Sequence, residues 1–219
     1  MNASSFLITL LLLIPLFQDQ WKNVYSEKAW ADRDRWQKAD ELIRSGLIRQ
    51  GAQVADIGAN EGYLTVKLSA AAGNAGKVFA VDVNQSKLDI LNEILEKRAL
   101  KNVTVIKGEY DNPLLPVNSL DAVFILDSYH EMDDHDKILE HVKLALKKGG
   151  RLILCEPIAE ERRSLTRNEQ EAKHELGMNF ALEDLIKAGF TVIKKQDHFA
   201  DRRTEKGDEM WMIVAAKRN

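Results

Sequence analysis

The sequence predicts an α/β fold: a doubly wound, mostly parallel sheet of seven strands, helices on both faces, and an antiparallel hairpin at the C-terminal end. Three observations predict it. Short apolar runs alternate with amphipathic helical stretches from residue 51 onward, the pattern of βαβ units with right-handed crossovers. Several of those runs end on a carboxylate or a glycine-containing turn rather than on a plain polar loop. The last two runs are joined by only about ten polar residues, too few for a helical crossover, so they must pair antiparallel.

Taken in order, "SEKAWADRDRWQKADELIRSG" spaces Trp30, Trp36, Ala39, Leu42 and Ile43 at mixed three- and four-residue intervals. This predicts one amphipathic helix that stops near Gly46, with a further short turn to Gly51. "QVADIG" reads as a strand and "GYLTVKLSAAAG" as a helix ending at Gly73. "KVFAVDV" is a strand, followed by a helix over "SKLDILNEILEKRAL" with Ser86 as its N-cap and Asp89 in its first turn. "VTVIKG" is a strand, then comes a loop with Pro113 and Pro116, then the strand "LDAVFILD". "HDKILEHVKLALKKGG" is a helix ending at its Gly-Gly, and "RLILCEP" is a strand closed by Pro157. The last third holds a polar, partly helical stretch, the helix "FALEDLIKAGF", and the strands "TVIKKQDHF" and "MWMIVAAK" around the connector "ADRRTEKGDE".

Composition bounds the function. The chain has 219 residues, 45% hydrophobic and 30% charged, which suits one globular core. A net charge of −3 lacks the basic excess of a nucleic-acid binder, so no nucleic-acid partner is expected. The pairs Lys97-Arg98 and Arg162-Arg163 read as solvated surface. The single cysteine, Cys155, sits in an apolar run and reads as a buried thiol. The apolar run "FLITLLLLIPLF" is shorter than the roughly 20 residues of a membrane span and reads as a signal peptide, an uncleaved anchor or a helix packed on the domain, the first two leading. Three segments follow: residues 1–20 as signal peptide or N-terminal anchor, 21–50 as an N-terminal helical segment, and 51–219 as one α/β domain. The leader implies an exported, periplasmic or membrane-anchored protein, and without it a cytoplasmic one. Membrane association is expected through that segment alone, and the sequence leaves the oligomeric state open.

In open α/β sheets a ligand binds beyond the carboxyl ends of the strands, where the strand order reverses. The first tip carries Asp56, Gly58, Asn60, Glu61, Gly62 and Tyr63, and the second Asp82 with Asn84. The third carries Gly108, Glu109, Tyr110 and Asp111, the fourth Asp127, Ser128, Tyr129, His130 and Glu131, and the fifth Glu156. Each has a plain alternative: the glycines permit a tight turn, and Asp82 could cap a helix. Together they point to a nucleoside, because Asp82 lies roughly 20 residues past the glycines, where an acid bonds ribose hydroxyls. The loop D-I-G-A-N-E-G is not the dinucleotide pattern. Its carboxylates would repel a pyrophosphate and suit an ammonium or sulfonium charge. Tyr129 and His130 in "DSYHEM" and His174 in "EAKHELGMNF" are the catalytic candidates, His130 as a general base and Tyr129 as a pocket-lining group; each has an ordinary loop or surface reading beside it. No metal site is expected, since His130 and His135 lack the i, i+4 spacing of a helical zinc site. One cysteine also argues against chemistry that needs several thiols.

The stretches "VADIGANEGYLTVKLS", "VFAVDVNQSKL", "LDAVFILDSYHEM" and "LKKGGRLILCEP" resemble the successive motifs of class I methyltransferases that use S-adenosylmethionine. The closing hairpin is similar to that family's Rossmann-like, seven-stranded sheet, and the resemblance covers residues 30–217. One departure is Asn60, which stands where the family often has a glycine; Asn tolerates left-handed backbone. The resemblance implies S-adenosylmethionine as cofactor, residues 51–219 as a methyltransferase domain, and methyl transfer to an unidentified small molecule. It implies that the loop from Asp56 through Gly58, Asn60 and Gly62 to Tyr63 wraps the methionine end, with Asp56 toward the ammonium. It further implies Asp82 on the ribose, Glu109 or Tyr110 near the adenine, Asp127 toward the methionine and substrate, and His174 on the substrate-lid side. Two other readings stay open at this point: an S-adenosylmethionine-binding protein without catalysis, and a nicotinamide-dependent oxidoreductase on a similar fold.

Overall fold

The computed structural model describes residues 26–217; the apolar N-terminal stretch, with its signal-peptide or anchor reading, lies outside the described residues. Two short helices open the described chain, α1 (Trp30–Trp36) and α2 (Ala39–Ser45). The periodicity predicted one helix. Lys38 adopts left-handed backbone at φ 51° and breaks it. Both halves still bury one face, with Trp30, Trp36, Ala39 and Leu42 packed into the main core.

The alternation then follows in order: β1 (Gln53–Ile57), α3 (Tyr63–Ala72), β2 (Lys77–Asp82), α4 (Gln85–Lys97), β3 (Val103–Lys107), β4 (Leu120–Leu126), α5 (His135–Ala145) and β5 (Leu146–Ile158). A short α6 (Arg167–Glu171) and α7 (Met178–Lys187) lead into β6 (Phe190–Arg202), α8 (Arg203–Lys206) and β7 (Asp208–Lys217). The seven strands form one sheet in the order β3-β2-β1-β4-β5-β7-β6. The first five are parallel, and β7 runs antiparallel to both β5 and β6.

Side-chain alternation sorts the core into two layers. Val54, Val78, Ala122, Phe124 and Ile153 meet α1, α2 and α3 on one face, with Leu88, Leu91 and Leu95 of α4 beside them. Ile57, Val81, Val123, Ile125 and Leu154 meet Ile138, Leu139 and Val142 of α5 and Ala181 and Leu185 of α7 on the other. Each fully buried Val, Leu or Ile contributes about 1.5–3 kcal/mol. The sheet therefore fixes where its strand tips stand. No helix of the described residues is long and apolar enough to cross a membrane.

Three local expectations are corrected. Asn84 caps α4, its side chain accepting from the backbone N–H of Ser86 and Lys87, so the helix starts one residue before Ser86 and Asp89 falls outside its first turn. α5 ends at Ala145, and β5 runs through Gly149 and Gly150, where its pairing with β4 shifts register. Half of the polar connector is strand: β6 continues to Arg202 and β7 begins at Asp208, which leaves room only for one helical turn.

Candidate active site

The strand order reverses between β1 and β4, and a cavity of about 900 Å³ opens beyond their carboxyl ends. The β1–α3 loop forms its floor. Gly58 holds φ +78°, and a Cβ there would lie 2.3 Å from Ser128 Oγ. Gly62 holds φ +94°, and a Cβ there would lie 2.3 Å from Leu91 Cδ1. Space and backbone both demand glycine. Asn60 takes φ 50°, with its own Oδ1 accepting from Glu61 N–H at 2.8 Å. The backbone N–H of Asn60 donates to Asp82 Oδ2 at 2.8 Å, and that of Asn84 to Asp82 Oδ1 at 2.8 Å. Asp82 thus ties the first two strand tips together. A carboxylate offers about four acceptor positions, so capacity remains for a ligand's hydroxyls.

Asp56 is buried beside this loop, and Thr65 Oγ1 donates to it at 2.6 Å. Burial pushes its pKa up to about 6, against the pull of the Thr65 hydroxyl and of Arg33. Tyr63 lines the same wall; its hydroxyl donates to Asp34 at 2.8 Å, and the Arg33 guanidinium sits 4.1 Å from its ring centre. At the β3 tip, Glu109 and Tyr110 line the rim, with Tyr110 three-quarters exposed.

Asp127 lines the cavity at the β4 tip with left-handed backbone, φ 55°. Its carboxylate turns to Arg202 Nη1 at 2.7 Å, with Lys206 Nζ at 3.8 Å. Burial opposes its charge, but Arg202 and Lys206 outweigh it and hold the acid well below the usual range. Burial in turn pushes Lys206 down to about 8. The expected cofactor acid is therefore the centre of a buried ion cluster that includes Asp208. Arg33, Arg202 and Lys206 all line the cavity, and the sequence reading missed all three. Arg33 carried a signal: it lies three residues from both Trp30 and Trp36, on the same helix face as the buried rings. Arg202 and Lys206 carried none, being hidden in a connector that reads as solvent-exposed. Arg162, expected on the solvated surface, also lines the cavity and pairs with buried Glu175.

The catalytic candidates separate. Tyr129 is fully buried outside the cavity lining, and its hydroxyl donates to Asp184 at 3.0 Å. Burial and the neighbouring Asp184 push the phenol far above its ordinary range. The expectation of a pocket-lining Tyr129 is corrected: the residue braces α7 against the β4 tip. His130 lines the cavity, with its Nδ1 2.5 Å from Oε2 of Glu156. Glu156 is itself fully buried and accepts from the backbone N–H of Ser128 at 2.7 Å and Tyr129 at 2.9 Å. Burial opposes a charged His130 ring, but Glu156 and Glu131 outweigh it and raise the pKa to about 10. The Glu156 contact occupies the Nδ1 side of the ring, and Nε2 faces Glu131 at 3.4 Å on the cavity side. His174 lies at the cavity mouth, its Nδ1 2.5 Å from Glu131 Oε1 and its ring 5.9 Å from that of His130. His135 sits behind the site, half-buried against the Tyr129 carbonyl at 2.9 Å.

Comparison with known proteins agrees with this geometry. Residues 48–216 match the family described as a methyltransferase domain. A ubiquinone/menaquinone biosynthesis C-methyltransferase of Hahella chejuensis is 34% identical over 116 residues, which is 52% of this chain and 46% of that protein. The corresponding Pseudoalteromonas translucida protein is 32% identical over 117 residues, 53% of this chain and 47% of its own length. The chain thus spans about half the length of the curated relatives it matches. Among solved structures, an S-adenosylmethionine-dependent methyltransferase from Aquifex aeolicus superposes with a TM-score of 0.68 at 26% identity, covering 82% of this chain and 89% of that one.

Proposed function

Because the chain belongs to the class I methyltransferases that use S-adenosylmethionine, by the family match over residues 48–216, we propose that it transfers the methyl group of that cofactor to a small-molecule acceptor. The observation that carries the reading is the pair Asp56 and Asp82, which line one cavity from adjacent strand tips at the point where the strand order reverses. In this reading the loop from Gly58 through Asn60 and Gly62 to Tyr63 wraps the methionine part. Asp56 receives the ammonium, directly or through water. Arg33 and Lys206 face the α-carboxylate. Asp82 accepts from the ribose hydroxyls, and Glu109 and Tyr110 border the adenine. Asp127 acts through Arg202 and Lys206 rather than on the cofactor. The acceptor enters from the side lined by His130, Met132 and His174.

The reaction is an in-line displacement. A bond forms between the acceptor atom and the methyl carbon, the carbon–sulfur bond breaks, and its electron pair stays on sulfur as a neutral thioether, S-adenosylhomocysteine. Any proton on the acceptor passes to solvent. The donor is already activated, so positioning supplies much of the rate.

The test is an assay for S-adenosylhomocysteine with S-adenosylmethionine and a panel of phenols, enols, amines and thiols. Acceptor-dependent product is expected from at least one class. Micromolar S-adenosylhomocysteine binding with no turnover on any class would favour the non-catalytic alternative.

A further inference from the structure

His130, Glu131 and His174 each offer one metal-ligating atom, and the three atoms lie within 4.8 Å of one another. His130 Nε2 and Glu131 Oε1 are 3.4 Å apart. Zinc binds nitrogen at about 2.0–2.1 Å and oxygen at about 2.0–2.2 Å, so tetrahedral ligand atoms stand about 3.3–3.5 Å apart. The first pair already has that separation. Glu131 and His174 have exposed side chains, so rotation about their own bonds brings them onto a common centre.

A second observation points to a ligand independently. The buried carboxylate of Glu156 accepts from His130 Nδ1 at 2.5 Å and is pinned by two backbone N–H groups. That contact places the hydrogen on Nδ1 and aims Nε2 at Glu131 and the cavity. A carboxylate on the far nitrogen is how proteins orient a histidine that binds a metal. The donor set is two imidazoles and one carboxylate, which suits a divalent cation of the zinc class; magnesium and calcium prefer oxygen shells. Three protein ligands leave a fourth position open, and here it opens onto the cavity that the Gly58–Gly62 loop also lines.

We propose that His130 Nε2, Glu131 and His174 Nδ1 bind one divalent transition-metal cation, and that its open position takes an anionic oxygen of the acceptor, such as a phenolate or enolate. The acceptor half rests on the methyl-transfer reading; the metal half does not. Metal binding displaces the Nε2 proton of His130 to solvent; two neutral imidazoles and one carboxylate then leave a net positive charge on the bound dication, which favours an anionic oxygen over an amine.

The test uses the full chain, stripped with a chelator and dialysed against Zn²⁺ alone, then titrated with Co²⁺ as a spectroscopic probe. The expected result is one Zn²⁺ per chain at micromolar free metal, and a visible Co²⁺ absorption of tetrahedral intensity. His174→Ala and Glu131→Gln should each weaken Zn²⁺ binding at least tenfold while keeping the metal-free melting temperature, since both side chains are exposed. No stoichiometric metal, or binding unchanged in both variants, would overturn the site. Titration of S-adenosylhomocysteine into the same wild-type sample separates the two readings: metal bound without the nucleoside overturns methyl transfer alone, and nucleoside bound without metal overturns the metal site alone.

Discussion

Replacing Asp56 by Asn should weaken cofactor binding while leaving the protein as stable as before or more so. Asp56 is buried, and its pKa stands at about 6 against a reference of 3.8. Holding it ionised at neutral pH therefore costs roughly 3 kcal/mol of folding stability, at about 1.4 kcal/mol per pKa unit. The native state binds more protons than the unfolded chain between pH 3.8 and about 6, so this group's contribution falls as pH rises through that window. Asn removes the charge and keeps an oxygen for the Thr65 hydroxyl. Its new amide needs a partner, which returns about 1–3 kcal/mol of the gain. The expected net change at pH 7.5 is about 0–2 kcal/mol of stabilisation. Affinity moves the other way. Losing a hydrogen bond to a charged group costs about 1.5–3 kcal/mol, or about 10- to 150-fold in the dissociation constant. Wild-type affinity should also fall about tenfold from pH 7.5 to pH 5, as Asp56 takes up a proton that opposes an ammonium, and the variant's should stay flat across that range. Urea denaturation and calorimetric titration of S-adenosylhomocysteine measure both halves. A variant destabilised by more than about 1 kcal/mol at pH 7.5, or one that binds the nucleoside as wild type does, would refute the reasoning.

Other perturbations discriminate structure from function. Gly62→Ala meets both a φ of +94° and Leu91 Cδ1 at 2.3 Å, so it should cost about 2–4 kcal/mol in urea denaturation and weaken nucleoside binding with it. Tyr129→Phe removes the hydroxyl from Asp184 and should cost about 1 kcal/mol of stability while the dissociation constant for S-adenosylhomocysteine stays within about twofold. Arg202→Met leaves the Asp127 and Asp208 carboxylates buried without their guanidinium and should cost about 3–5 kcal/mol, read as a lowered denaturation midpoint. Arg33→Ala should raise the dissociation constant for S-adenosylmethionine about tenfold by removing a cation from the methionine end, measured by calorimetry.

The fold was legible because short continuous apolar runs and helical stretches alternate along most of the chain from Gln53 to Lys217. The short connector dictated the antiparallel pairing of β6 and β7. The glycine loop was legible because Gly58, Asn60 and Gly62 are the residue types that left-handed backbone accepts. What failed was tertiary. Nothing local marks Lys38 as a helix break, and Asn84 and Ser86 are both good N-cap residues; the structure uses Asn84, whose N–H donates to Asp82. Asp127 lines the cavity, but its guanidinium partner comes from Arg202 on the far hairpin, which no local pattern shows. Tyr129 and His130 are neighbours in sequence yet point to opposite sides of the β4 tip, one into Asp184 and one into the cavity. The His130–Glu131–His174 cluster was invisible to spacing rules, because His174 reaches it from beyond β5.

The most direct test of the cofactor site is calorimetric titration of S-adenosylmethionine, S-adenosylhomocysteine and NAD into the wild-type protein and into Asp82→Ala. The account predicts micromolar binding of both adenosyl ligands, about −8 kcal/mol, no binding of NAD, and loss of the adenosyl affinity in the variant. Absence of adenosyl binding, or tighter binding of NAD, would contradict it.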